Sequence, residues 1–392
     1  MIYLDHNAST PLRPQVAELL VRAVELGTTR PGNSSSVHQG GRAARARIDA
    51  ARISVAKTLG CEMREVCFTA SGSEGDALAL QGAFRGRKDK ARRGIVSSRI
   101  EHPAVLTALD QLEADGAKVT RLSPRADGRV DVEKALAALS EEVALCSLMW
   151  ANNETGVLQP VAEVARECRR RGILFHTDAV QATGKVPVSL REVDADLLTI
   201  SAHKLGGPAG VGALVVRKGV ELFPLVPGHQ EDGRRGGTHN VAYIEALALA
   251  LELAAVDVSQ DRAQGGALRD RLERELLARI PDTQVNGSGA PRVPNTTNVR
   301  FEGADGEALL IALDLEGICV STGAACASGS LSPSHVLTAM GLSSAQAHAS
   351  LRISLGTDTT EAEIDRVIDA LVTHVPKARE ATTPSPPGRG VG

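Results

Sequence analysis

Apolar and polar positions change period repeatedly along this chain. Apolar residues three and four apart, the helical spacing, cover 38–59, 73–84, 102–115, 131–139 and 160–171. Between them lie short apolar runs at Val66–Thr69, Gly94–Ser98, Lys118–Leu122, Val143–Trp150, Ile173–Thr177, Leu197–Ser201 and Val211–Val216. Strands alternating with helices predict an α/β fold with a mostly parallel, seven-stranded sheet flanked by helices. Ligands of such sheets sit in loops beyond the carboxyl ends of the strands. Helical patterns at 241–256 and 260–279 follow. After Pro281 the order changes to short strands and helices at Asn295–Phe301, Glu307–Glu316, His335–Met340, Ser350–Leu355 and Glu361–His374, which predicts a smaller α+β C-terminal domain. The expected division is a large domain over 15–256 and a small one over 257–375 together with 1–14. A Pro/Gly/Ser-rich tail, 376–392, is expected to be disordered.

Composition narrows the class. Hydrophobic residues make up 43% of 392 residues and aromatics only 2%, so Ala, Val, Leu and Ile must build the core. With 44 basic and 47 acidic residues the net charge is −3, which argues against a general binder of nucleic acid or membrane surfaces. Arginine runs at 42–52 and 166–171 read as solvated helix faces. The N-terminus has no basic region followed by an apolar one, so no secretory signal is expected. No run of about 18 uncharged apolar residues suggests a membrane span. Six cysteines without a Cys-x-x-Cys pair suggest neither a disulfide framework nor a zinc site, and a reducing cytoplasm is the expected setting.

Candidate chemistry collects just past the predicted strands. Ser201-Ala202-His203-Lys204-Leu205-Gly206-Gly207 places a lysine among small residues after a buried strand, where it can form a Schiff base. A surface lysine in a Gly-rich turn is the competing reading. Asp178 closes another apolar run; it can hold a pyridinium nitrogen protonated, or cap a turn. The two lie 26 residues apart, and together are more specific than either alone. Ala70-Ser71-Gly72-Ser73-Glu74 offers small residues at a helix start for a phosphate, and also fits a capping box. His102 can stack on a flat ring or be structural. Asn152-Asn153-Glu154-Thr155-Gly156 can supply amides to a ligand or simply form a turn. Between Val320 and Ser330, small and polar residues surround the single thiol of Cys326. Such a segment packs poorly, and a mobile, exposed thiol suits a nucleophile that passes its cargo on. Arg352, in the alternating run Ser350–Leu355, can fork onto a carboxylate or form a surface ion pair.

In this order, the motifs Ser-x-His-Lys204, His-Thr-Asp178-Ala-x-Gln181, Asn-Asn153-Glu-Thr-Gly and the Gly-Ala-x-Cys326 loop resemble the cysteine desulfurases. This family of fold-type-I pyridoxal phosphate enzymes resembles the class-V aminotransferases. The resemblance runs from Tyr3-Leu-Asp-His-Asn-Ala-Ser-Thr10 to Thr359-Thr-Glu-Ala-Glu-Ile364. The stretch Leu331-Ser-Pro-Ser-His-Val336 is similar to the nitrogen-fixation and iron–sulfur-cluster subgroup. The resemblance implies conversion of L-cysteine to L-alanine, with the sulfur taken by Cys326 as a persulfide for cluster assembly or another delivery such as tRNA thiolation. It implies that Lys204 carries pyridoxal phosphate and Asp178 pairs with the ring nitrogen. Gln181 and Asn153 approach the phenolic oxygen, with Asn153 also beside the substrate. His102 stacks on the ring and serves catalysis as a proton shuttle, and Gly72, Ser73, Ser201 and His203 hold the phosphate. It further implies that Thr238 reaches a neighbouring subunit's phosphate in a homodimer, and that Arg352 binds the substrate carboxylate. No resident metal is implied, although Cys326 can ligate a cluster in transfer, and a sulfur-acceptor protein is the implied partner. Ala77, Thr357 and the stretch 227–231 depart from the family pattern, and the Pro-rich tail does not resemble the scaffold-docking segment of the cluster-assembly branch. A selenocysteine lyase or an aminotransferase of the same fold is the alternative enzyme. A non-catalytic sulfur-network partner is the alternative of another class.

Overall fold

The computed structural model describes residues 1–29, 31–322 and 333–382. In chain order its strands are β1 (Ile2–Tyr3), β2 (Val66–Thr69), β3 (Gly94–Ser98), β4 (Lys118–Leu122), β5 (Val143–Ser147), β6 (Leu174–Asp178), β7 (Leu197–Ser201), β8 (Gly212–Val216), β9 (Thr283–Val285), β10 (Thr296–Phe301), β11 (Ile318–Cys319) and β12 (Ser350–Ser354). Strands β2 to β8 form the seven-stranded sheet, in the order β2-β8-β7-β6-β5-β3-β4. Only β8 runs against its neighbours. The carboxyl ends of β2, β3, β5, β6 and β7 therefore share one edge, which is where the candidate residues follow. Strands β2, β5, β7 and β8 are buried at every position, which explains their unbroken apolar runs.

Helices cover the sheet because their apolar stripes have nowhere else to go. The helix Gln39–Leu59 buries Ala44, Ile48, Ala51, Val55 and Leu59 at spacings of three and four. His38 caps its start by accepting from the Gly41 N–H, and Gly60 ends it at φ 72°, a left-handed conformation that costs a glycine little. Phe175 and Phe301, among the few aromatics, are both fully buried, one in each of two cores. Each such side chain contributes about 2–3 kcal/mol of transfer free energy. The second core is built on the antiparallel sheet β12-β10-β9 and on Leu4, beside the parallel pair β1-β11.

Three elements differ from the sequence pattern. A helix, Pro14–Thr29, occupies a stretch for which none was expected. The two helices expected at 241–256 and 260–279 are one, Val241–Arg279, and the expected boundary at 256/257 falls inside it. Its first half packs Ala250, Leu251 and Ala254 into the first core, and its second half packs Leu268, Leu272 and Leu276 into the second. The final helix, Glu361–Thr382, runs past Pro376, where disorder was expected to begin. Val375 and Ala378 continue its buried stripe, and Arg379 donates to Glu302 O at 2.8 Å and Pro281 O at 2.7 Å. Packing there outweighs the one backbone bond a proline removes. Residues 383–392 lie outside the described part. Among the described residues no helix is long and apolar enough to cross a membrane.

Candidate active site

Lys204 lies on a 3-10 turn, Ala202–Lys204, directly after β7. Its Nζ donates to Asn7 O at 2.5 Å and to Ala8 O at 2.7 Å. The N-terminal segment therefore passes over the lysine, and a cavity of about 350 Å³ beside it is lined by His6, Arg13, Lys185, Asn295 and Thr357. Asp178 ends the neighbouring strand β6 and is 6% exposed. One of its oxygens accepts from Val180 N at 2.9 Å, so the turn and ligand readings coexist: Oδ1 holds the turn. Burial raises the proton affinity of Asp178, while His102, the Val180 N–H and Lys204 oppose that rise. These groups are thus close enough to sense each other's charge.

His102 has a structural duty as well. It is the N-cap of the helix Pro103–Ala114, with Nδ1 accepting from Ala104 N at 3.2 Å. Nδ1 is thereby an acceptor, leaving Nε2 as the nitrogen available to other partners. Burial lowers its pKa; Asp178 opposes this, whereas Lys204 and His335 add to it. His203 is pushed down to about 4, by burial first and then by Lys204 and His102.

Ser71 caps the helix that begins at Gly72, accepting from Glu74 N at 3.1 Å. The reciprocal half of a capping box is absent: the Glu74 carboxylate reaches Ala70 N at 2.7 Å and Arg235 at 2.8 Å. Gly72 is required by close packing. A Cβ there would lie 3.0 Å from Val180 Cγ2 and 3.3 Å from Ser201 Cβ. Gly72 and Ser201 are buried and Ser73 is exposed, so the helix start and the end of β7 form one small cradle of N–H and hydroxyl groups.

In the Asn-Asn-Glu-Thr-Gly segment the two amides divide the alternatives between them. Asn152 Oδ1 accepts from Glu154 N and Thr155 N, both at 3.0 Å, and builds the turn. Asn153 is buried with Oδ1 unpartnered. Gln181 Nε2 donates to Asn7 O at 2.9 Å. Arg352, 3% exposed, donates to Asp5 Oδ1 at 2.7 Å and to Asn153 O at 3.2 Å, while its Nε has no partner. Its ion pair is therefore buried rather than on the surface. Thr238 is exposed and lies three residues after Arg235, which pairs with Glu74. Cys326 lies outside the described residues. On either side of the undescribed stretch, Ser321 exchanges backbone bonds of 3.1 and 2.7 Å with Arg352, and Ser334 Oγ donates to Glu154 at 2.5 Å. Burial pushes Glu154 up to about 7, with Ser334 and Arg352 opposing it.

The sequence reading passed over two residues here, Asn7 and Lys185. Lys185 Nζ donates to Asn7 Oδ1 at 2.7 Å and also to Gln181 Oε1. Asn7 Nδ2 donates to Thr296 Oγ1 at 2.9 Å and Asn153 O at 3.1 Å. The only available signal was that Lys185 sits one helical-turn spacing after Gln181, and it is weak.

A lysine and a buried carboxylate at one edge of a parallel sheet, beside a glycine-tight helix start and the unpartnered buried atoms of Asn153 and Arg352, fit pyridoxal phosphate and an amino-acid substrate. The fold and site define the class, and the aminotransferase class-V family matches residues 2–367. A cysteine desulfurase of Cereibacter sphaeroides is 48% identical over 373 residues, 94% of each chain. One of Trichormus azollae is 46% identical over 380 residues, 97% of this chain and 94% of the other. A solved NifS-like protein superposes with a TM-score of 0.88 at 34% identity, covering 96% of this chain and 99% of the other. The chain belongs to the class-V aminotransferase family, in its cysteine desulfurase branch.

Proposed function

We propose that this chain is a pyridoxal phosphate-dependent cysteine desulfurase that takes sulfur from L-cysteine onto Cys326 and releases L-alanine. The observation that carries the reading is the convergence of Lys204, Asp178 and His102, each within electrostatic reach of the others, at the carboxyl edge of the sheet. When bound to Lys204, pyridoxal phosphate supplies an electron sink for the substrate's Cα.

The chain's own residues do the rest. Arg352, with Nε unpartnered, Nη1 on Asn153 O and Nη2 on Asp5 Oδ1, receives the substrate carboxylate. Lys204 Nζ takes and returns the Cα proton. Asp178 keeps its second oxygen for the ring nitrogen and holds the proton there, since Val180 engages Oδ1. Gln181 and Asn153 would face the phenolic oxygen of the bound cofactor and His102 its ring, and Gly72, Ser73, Ser201 and His203 would hold the phosphate. The thiolate of Cys326 attacks the substrate Sγ, forming an S–S bond as the Cβ–Sγ bond breaks and leaves its electron pair with the carbon skeleton. The persulfide stays on Cys326, Cβ takes up a proton, and the skeleton leaves as alanine.

Exposed Thr238 supports a homodimer in which it reaches the partner subunit's phosphate. The small domain of the proposal is the second core, carrying Arg352 and flanking the Cys326 segment. A reducing cytoplasm suits a thiol that must stay usable, and the acceptor is a protein that takes sulfur from the persulfide.

Two variants test the reading. Cys326→Ser should stay yellow and convert no cysteine to sulfide with a thiol reductant, with radiolabelled cysteine leaving no label on the protein. Full sulfide release by Cys326→Ser would remove Cys326 from the chemistry. Lys204→Ala should lose the reducible covalent link to pyridoxal phosphate, and a link that persists would move the cofactor elsewhere.

A further inference from the structure

The amide side chains beside Lys204 are held by a residue that none of this chemistry uses. Lys185 Nζ stands 2.7 Å from Asn7 Oδ1 and is also bonded to Gln181 Oε1, the residue four positions earlier. Each of those amides then has only its nitrogen left to point elsewhere. Gln181 Nε2 turns to Asn7 O, the same oxygen that Lys204 Nζ reaches at 2.5 Å. Asn7 Nδ2 turns to Thr296 Oγ1 and to Asn153 O, the oxygen that Arg352 also reaches. A flipped Gln181 would set its NH₂ against the N–H groups of Lys185, donor against donor.

We propose that Lys185 is a positioning residue: through Gln181 Oε1 and Asn7 Oδ1 it fixes both amides, turning the Gln181 N–H groups toward the Lys204 side of the site and the Asn7 N–H groups onto Thr296 Oγ1 and Asn153 O. The role survives a change of charge on Lys185: an amine and an ammonium both have N–H groups for the two oxygens, and although an amine's lone pair can accept from a flipped Gln181 NH₂, the flip would also set Oε1 against Asn7 O, acceptor against acceptor. Burial, and then the cations Lys204 and Arg352, push Lys185 well below the ordinary ammonium value, so donation rather than charge is its durable property. The inference rests on the reading above that Gln181 faces the phenolic oxygen. There, an N–H donor stabilises negative charge, whereas a flipped carbonyl opposes it.

The test is the pH midpoint of the bound cofactor's visible absorbance in the holoenzyme, with the dissociation constant for pyridoxal phosphate as a second readout. Lys185→Met should raise the midpoint by roughly one unit and weaken pyridoxal phosphate binding about tenfold. Gln181→Ala should move the midpoint the same way, and Lys185→Met added to Gln181→Ala should move it no further. Lys185→Arg, which keeps N–H donors, should stay within about 0.3 unit of the parent. Should Lys185→Met not fold, Asn7→Ser, which removes one of the two oxygens that place Lys185, should raise the midpoint in its stead. A full shift from Lys185→Met in the Gln181→Ala background would show that Lys185 acts independently of Gln181, and an equal shift from Lys185→Arg would show that N–H donors at this position do not set the midpoint; either result would overturn the proposal. No shift in Lys185→Met beside a clear one in Gln181→Ala overturns the role of Lys185 alone. No shift in either removes Gln181 from the phenolic oxygen and both statements with it.

Discussion

Asp178 and Glu231 are carboxylates of nearly equal burial, 6% and 7% exposed, with opposite proton affinities. Burial penalises the charge of both. Around Glu231 the penalty is met: Arg52 donates twice, at 2.8 and 2.7 Å, His239 lies at 2.6 Å, and the Phe68 N–H at 2.9 Å. Those contacts outweigh burial and bring Glu231 down to about 2. Around Asp178 the described partner is one backbone N–H, and burial prevails. A cavity of about 680 Å³ borders Arg52, Glu231 and His239, larger than the one of about 350 Å³ beside Lys204. Cavity size does not mark the chemistry. A buried charge whose partners are all supplied by the protein is structure, whereas one left short of partners awaits a ligand.

This contrast can be broken by exchanging each carboxylate for its amide. Asp178→Asn should lower kcat by about 10³-fold while leaving the melting temperature within a few degrees of the parent, as measured by steady-state kinetics and calorimetry. A variant that unfolds instead would make Asp178 a structural residue like Glu231. Glu231→Gln should do the reverse. It leaves Arg52 with an uncompensated buried charge and should cost about 3 kcal/mol in denaturant unfolding, with little change in kcat per folded protein.

The smallest effect sharpens the comparison through pH. Glu231 is depressed in the folded state, so its contribution is present above the ordinary value of 4.5 and is lost as pH falls towards about 2. Glu101 is the opposite case. Burial pushes it up to about 8, against hydrogen bonds from Ser98 and the Met149 N–H. Its contribution is present below 4.5 and is lost as pH rises through about 8. The stability gap between parent and Glu101→Gln should therefore narrow from pH 5 to pH 8, while the gap between parent and Glu231→Gln should narrow only below pH 4.5. A Glu101 gap that widens with pH would mean the carboxylate is ionised in the fold.

Much of the site was legible because its parts are local. Lys204 and Gly72 follow, and Asp178 ends, strands that short apolar runs reveal, and parallel pairing then brings those strand ends to one edge. Strands β2, β3 and β7 span the same residues as their apolar runs, because burial on both faces leaves little else for those runs to be; β4 also matches its run, although it is an edge strand with no buried residue. The helix Pro14–Thr29 and the joining of 241–256 to 260–279 were not legible, since both depend on what packs against them. The Arg352–Asp5 pair, 347 residues apart, and the Asn7–Gln181 bond, 174 apart, lie beyond any local pattern.

By itself the sequence determined the order of strands and helices, the lysine and carboxylate after neighbouring strands, and the thiol of Cys326 among small residues. These follow from periodicity and from chemistry confined to a few adjacent positions. The tertiary structure alone decided which alternative each residue takes. His102 is at once a helix cap and a neighbour of Asp178, Asn152 builds the turn while the side-chain oxygen of Asn153 stays unpartnered, and Arg352 is buried rather than exposed. It also brought in Asn7 and Lys185, whose positions depend on the N-terminal segment crossing Lys204. The physical reason is that hydrogen-bond satisfaction and desolvation depend on all the neighbours of a group, and most of those neighbours are distant in the chain.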